Sequence, residues 1–258
     1  MLTILAAAML SPWTLVWSDE FNGSGLADSS KWTYEIGYVR NKELQYYTVA
    51  DTKNARQEGG NLVIECRKED ERITSASLIT LGKASWKYGR IEVRARIPYG
   101  HGSWPAIWMM GTDRPKVGWP KCGEIDIMEN VGFDPNKIYG TVHWPDDAKS
   151  GKHGSKGGLV TSLSPWSDFH VYALEWSNER LDFYYDDNKY FSFKNDGSQS
   201  NGFRFDKECY LLINFAFGGT WGGQRGVNED ALPLKYLIDY VRVYQKAARG
   251  QTNHIQIG

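Results

Sequence analysis

Glu124-Ile-Asp126-Ile-Met-Glu129 places three carboxylates within six residues of an otherwise apolar run. An apolar run with β-branched residues reads as a buried strand. Acids are rarely buried unless they are paired or put to use, so three on one strand need a reason. In a regular strand, residues 124, 126 and 128 share one face and Glu129 points the other way. For all three acids to serve one site, a β-bulge at Ile127-Met128 must return Glu129 to the face of Glu124 and Asp126.

Outward from this segment, strand-like runs recur between turn signals. The early ones are Trp13–Trp17, Asn61–Arg67, Gly89–Arg96, Ala106–Met110, Ile125–Met128 and Tyr139–Trp144. His170–Trp176, Arg180–Tyr185, Tyr210–Ala216 and Tyr236–Tyr244 follow. Arg90–Ile97 alternates charged and apolar residues, the pattern of a half-buried antiparallel strand. Leu181–Asn188 reads as a hairpin with Asp187-Asn188 in its turn. No segment keeps a helical period over three turns. Many short strands with Gly- and Asn-containing connections predict an all-β sandwich or jelly roll. Ser150–Gly158 is rich in Gly and Ser and carries Lys152, His153 and Lys156. It lacks the Gly-Lys-Ser/Thr pattern of a phosphate loop and is expected to be a flexible surface loop beside a cleft.

The 258 residues carry a formal net charge of −1. No basic cluster interleaves with aromatics, so nothing marks a nucleic-acid surface. Cys66, Cys122 and Cys209 are widely spaced and lack metal-ligand spacing. They read as buried free thiols, with one Cys66–Cys209 or Cys122 pairing as the alternative. The apolar N-terminus, Met1–Leu10, is too short to span a membrane. Ala6-Ala7-Ala8 offers a small-residue cleavage pattern, although no positive region precedes it. The expected organisation is a leader or signal remnant over residues 1–14, one domain over 15–245 and a polar tail over 246–258, in an exported protein.

Eleven Trp, 15 Tyr and 10 Phe are the unusual part of the composition. Some must fill the core. Yet Gly102-Ser-Trp104-Pro and Gly219-Thr-Trp221-Gly-Gly set tryptophan among glycines, which suits a flat platform in a cleft where the C–H face of a sugar ring can stack. Trp104, Trp108, Trp119 and Trp144 are expected to ring the three acids.

Two carboxylates flanking a glycosidic bond can hydrolyse it, one as nucleophile or base and the other as proton donor. With one bulge, Glu124 and Glu129 are about four strand steps apart, or ~13 Å between Cα atoms. Side chains leaning together would approach the ~5–5.5 Å of a retaining enzyme, and inverting separations are also within reach. Asp126, between them, would push their pKa values apart. Cation binding or arginine pairing is the competing use of the same acids.

Gly123-Glu124-Ile-Asp126-Ile-Met-Glu129-Asn resembles the active-site strand of glycoside hydrolase family 16, in its bulged, laminarinase-like form. Trp17-Ser-Asp-Glu-Phe-Asn22, Asn41-Lys-Glu-Leu-Gln-Tyr-Tyr47 and Gly60-Asn-Leu-Val-Ile-Glu65 are similar to the family's opening segments. Tyr88–Glu92, Gly102–Met109, Gly140–His143, Phe169–Trp176, Gly218–Gly223 and Asp239–Gln245 follow in the family's order. One departure is Asn228–Tyr236, where relatives often carry a Phe-Pro-Gln/Arg-x-Met pattern; it lies outside the acid strand.

The resemblance implies a jelly-roll β-sandwich of two curved antiparallel sheets with a concave substrate cleft. It also implies a retaining endo-β-1,3-glucanase, monomeric, acting on β-glucan and needing no cofactor for catalysis. Carried over, Glu124 is the nucleophile, Glu129 the acid/base and Asp126 the residue that tunes them. Asn41, Trp104, Trp108, Trp119, His143, Asn214 and Trp221 match positions that line sugar subsites. Glu20, the Gly60 carbonyl and Asp239 match a structural Ca2+ site. The alternatives are a hydrolase of the same family acting on mixed-linkage β-1,3-1,4-glucan or a galactan, and a non-catalytic glucan-binding protein. Such binding proteins lose one or both glutamates, and this chain keeps both.

Overall fold

The computed structural model describes residues 13–146, 152–197 and 205–246. Its strands begin with β1 (Trp13–Asp19), β2 (Thr33–Tyr34), β3 (Tyr46–Tyr47), β4 (Ala55–Glu58), β5 (Asn61–Glu69) and β6 (Arg72–Ser75). β7 (Ser77–Ile79), β8 (Gly89–Arg96), β9 (Ser103–Gly111), β10 (Glu124–Glu129), β11 (Lys137–Asp146) and β12 (Lys152–Thr161) follow. β13 (His170–Trp176), β14 (Arg180–Tyr185), β15 (Asn188–Lys194), β16 (Cys209–Phe217) and β17 (Leu234–Lys246) complete the set. Two one-turn helices, α1 (Arg114–Val117) and α2 (Gly219–Gly222), sit in the connections.

Among the described residues, ten strands form one sheet, ordered β15-β14-β13-β8-β17-β5-β6-β3 with β1 on β17 and β4 on β5. Seven form the other, ordered β12-β11-β10-β9-β16-β7-β2. Every strand pairing is antiparallel except that of β3 with β6. This is the two-sheet, all-β sandwich that the turn spacing predicts.

Period-two alternation assigns the faces. On β8, Ile91, Val93 and Ala95 are buried, while Arg90 pairs outward with Glu92 at 2.6 Å and Glu175 at 2.9 Å. From the facing sheet, Ile107, Met109, Ile125, Ile127, Met128, Ile213 and Phe215 meet them in one core cluster. Each such large side chain contributes roughly 1.5–3 kcal/mol. β9 and β16 are buried along their whole length, because one face joins this core and the other floors a cleft.

Three expectations change. The predicted flexible loop at Ser150–Gly158 is, from Lys152 onward, the strand β12, paired with β11 residue for residue from Asp146↔Lys152 to Lys137↔Thr161. Its glycines serve close packing. A Cβ at Gly154, Gly157 or Gly158 would lie 2.4, 2.8 or 2.7 Å from Trp144, the Gly140 carbonyl or Phe191. The β14–β15 hairpin pairs Tyr185 with Asn188, so its turn is Asp186-Asp187, one residue earlier than read. Trp13 and Thr14, placed in the leader, pair with Lys246 and Gln245. The rest of the leader and tail lies outside the described residues. All three cysteines are free and buried.

Candidate active site

β10 lies between β9 and β11, and its register carries the predicted bulge. Against β11, Glu124 faces His143, Asp126 faces Thr141 and Glu129 faces Tyr139. Three steps on one strand thus match two on the other. Against β9, Asp126 faces Trp108 while Met128 and Glu129 face Ile107 and Ala106. Ile125, Ile127 and Met128 are sealed in the core, which leaves Glu124, Asp126 and Glu129 on the cleft side.

The cleft has a volume of about 640 Å³, and all ten residues expected at the acids and sugar subsites line it. Trp104 donates its indole N–H to Glu129 Oε1 at 3.0 Å and meets Trp221 edge-on at 5.6 Å. Trp108, under the cleft floor, donates to Asn214 Oδ1 at 2.7 Å. Asn214 in turn donates to the Tyr47 hydroxyl at 2.8 Å. Trp119 is 45% exposed, free to stack on a ligand. It approaches the His143 and His153 rings at 6.2 and 4.7 Å. Asn41 donates to Glu43 at 3.3 Å on the wall nearest Gly218-Gly219. Gly219, with φ +76, leaves only 3.0 Å between its ideal Cβ and the Asn41 carbonyl, so a side chain there would push Asn41 away.

Trp144 does not join the ring of indoles. It stacks on Phe193 at 5.2 Å and packs against the core, because it follows His143 directly and alternation turns it to the opposite face.

Burial and like charge dominate the electrostatics. Glu124 is pushed up to about 8 by burial and by Asp126, with His143 and Arg40 opposing. Glu129 is pushed up to about 7 by burial, with the Trp104 hydrogen bond opposing. Asp126 rises well above the usual carboxylate range through burial and Glu129. Three such acids cannot all ionise at neutral pH. With Asp126 holding a proton, its repulsion of Glu124 vanishes. His143 Nε2 stands 3.2 Å from Asp126 Oδ2 and 3.8 Å from Glu124 Oε1, a further hold on negative charge at Glu124. Burial keeps a proton available at Glu129 at and below neutrality, against the pull of the Trp104 hydrogen bond and of His143.

Several lining residues were missed. Tyr139 and Thr141 share the cleft face of β11 with His143, and period-two reading back from His143 would have found them. Arg40 lies over the Trp108 ring, 4.9 Å from its centroid, and pairs with Glu35. Glu43 lies in the quoted motif beside Asn41 but is buried among Gln45, Tyr47 and Asn41. His153 was hidden in the segment read as a loop.

The proposed calcium ligands do not fit a hard dication as they are arranged. Both Glu20 oxygens accept from Arg242, at 3.0 and 2.7 Å. Asp239 accepts from Arg94 at 2.6 Å. Each carboxylate is already compensated by a guanidinium, whereas Ca2+ takes six to eight oxygens, charged ones among them.

The sequence pattern that describes glycosyl hydrolases family 16 matches residues 42–242. A β-glucanase of Rhodothermus marinus is 48% identical over 249 residues, covering 90% of this chain and 85% of that protein. The crystal structure of the laminarinase from Rhodothermus marinus superimposes with a TM-score of 0.84 at 45% identity, covering 91% of this chain and 98% of that one. A variant of SCLam, a non-specific endo-β-1,3(4)-glucanase co-crystallized with 1,3-β-D-cellotriosyl-glucose, gives 0.83 at 43% identity, covering 93% and 97%. A match over most of the chain, which includes the strand that holds the three acids, means that this protein belongs to the glycosyl hydrolases of family 16.

Proposed function

We propose that the protein is a retaining endo-β-1,3-glucanase that cleaves internal bonds of laminarin-type glucans by double displacement. The observation that carries this is the bulged β10, which turns Glu124 and Glu129 into one cleft walled by Trp104, Trp119 and Trp221. Glu124, ionised beside His143 and a protonated Asp126, attacks the anomeric carbon. Glu129 protonates the departing glycosidic oxygen, then takes a proton from the water that releases the glycosyl-enzyme. Carboxylates and water suffice, so the reaction takes no cofactor.

The test is azide rescue. Glu124→Ala is expected to lose hydrolysis of laminarin, and added azide to restore turnover as a glycosyl azide of inverted configuration. Near-normal hydrolysis by that variant would sink the assignment.

The likeness to SCLam, a non-specific endo-β-1,3(4)-glucanase, favours a second reading in which β-1,4 neighbours are tolerated. A product profile on laminarin, lichenan, curdlan and agarose from one enzyme batch separates the two. A polymeric substrate also supports an extracytoplasmic location.

A further inference from the structure

The bulge that serves catalysis takes Ile127, in the core, out of register with both neighbouring strands. Ile127 is 1% exposed, and a buried unpaired carbonyl costs free energy. At the bulge a donor comes from the opposite sheet. Tyr190, on β15, reaches across the sandwich and donates its hydroxyl to Ile127 O at 3.4 Å. Burial raises the phenol's pKa, and Glu129 and Asp126 raise it further, so the O–H remains a donor throughout the working pH range.

The passage for that phenol is built by one glycine. Opposite the bulge, Asp126 faces Thr141 and Glu129 faces Tyr139, so Gly140 is the single β11 residue set against Ile127 and Met128. A Cβ at Gly140 would lie 2.5 Å from the Tyr190 hydroxyl and 2.8 Å from Phe183 Cδ1. Gly140 is thus required by the approach of the phenol.

We propose that Tyr190 is a positioning residue for the acid/base: it pins the Ile127 carbonyl from the core side, and Gly140 is the gap that lets it do so. Were the bulge to relax to a regular pleat, Glu129 would turn off the cleft face. The inference rests on Glu129 being the acid/base. Glu129 faces Glu124 and His143 within the cleft, accepts from Trp104, and has Asp126 beside it and Tyr190 behind it.

The test compares Tyr190→Phe, Gly140→Ala and Glu129→Ala in the full chain. Tyr190→Phe keeps the ring volume and removes only the donor. It is expected to lower kcat on laminarin by about 10- to 100-fold, as a misplacement of about 1 Å does, with KM within about twofold. The basic limb of its kcat/KM profile is expected to move to lower pH, since a Glu129 that drifts toward water loses the burial that raises its pKa. Gly140→Ala, which crowds the hydroxyl without removing it, is expected to reproduce both changes. A folded Tyr190→Phe with unchanged kcat, or with reduced kcat and an unmoved basic limb, would overturn the proposal. Glu129→Ala should lose the basic limb altogether. If the limb persists there, the acid/base reading fails independently of Tyr190.

Discussion

The Trp104 indole donates to Glu129 Oε1 at 3.0 Å, from the strand beside the one that carries the acid. It fixes the carboxyl's orientation and, by favouring its charged form, holds back the rise that burial causes. Trp104→Phe is expected to lower kcat about tenfold, for the loss of one hydrogen bond to an ionisable group. Its kcat/KM profile should show the basic limb at higher pH, because the remaining influence on Glu129 is burial. A limb shifted downward would contradict the role assigned to the indole.

The raised carboxylates also set how stability varies with pH. Glu124 and Glu129 titrate near 8 and 7 in the fold against an ordinary 4.5. A carboxyl raised by folding contributes fully below its unfolded pKa, and the contribution is lost as pH rises through the folded value. Glu129→Gln is therefore expected to melt higher than the wild type at pH 8.5, by about 1–2 kcal/mol or roughly 2–8 °C. The difference should vanish near pH 4.5, and thermal melts at the two pH values check it.

Asn214 joins the cleft floor to the wall, accepting from Trp108 and donating to Tyr47. Asn214→Leu keeps the volume and strands both partners, which should cost about 2–4 kcal/mol in a urea titration. A cost below about 0.5 kcal/mol would show that neither partner depends on it.

Trp119 offers an open face to a ligand and also hydrogen-bonds Glu124, favouring its charged form. Trp119→Ala is expected to raise KM for laminarin several-fold through the lost stacking face, as for an interaction made equally in ground and transition states, and to lower kcat through the lost hydrogen bond to Glu124, while Tm changes little. Steady-state kinetics with a parallel melt distinguish this from damage to the fold.

Arg242 holds the Glu20 carboxylate with two hydrogen bonds, so millimolar Ca2+ or EDTA should leave the wild-type Tm unchanged. Arg242→Ala frees that carboxylate, and its Tm should then rise with added Ca2+ through mass action. A calcium-dependent wild type would show that the ion displaces the guanidinium.

Much of this site could be read from spacing. The two-residue gap before Glu129 required a bulge, and the ladder contains one, because the two-residue side-chain period of a strand admits no other way to gather the three acids. The same period, applied after His143, would have sent Trp144 into the core, yet the abundance of tryptophan near the acids suggested otherwise. β12 was hidden because glycine signals flexibility in isolation, and only the facing Trp144 and Phe191 rings reveal it as a packing requirement. Arg40 was missed because the Trp108 ring it covers lies on a distant strand, and Glu43 because nothing in its motif marks it as buried beside the cleft. Arg242 is four residues from the chain end of β17, and that it would claim Glu20 depends on a pairing of β1 with β17 that no local pattern announces.

That pairing has a practical consequence. Trp13 and Lys246 are cross-strand neighbours, about 5 Å apart by strand spacing, in the sheet that does not carry the cleft. A label, surface tether or partner domain joined near either residue therefore leaves from one spot and should leave the cleft open to long polymers. For the same reason, a short turn joining 246 to 13 would close the described domain into a ring, which could be reopened at an exposed connection such as Asp186-Asp187 to give a circularly permuted enzyme.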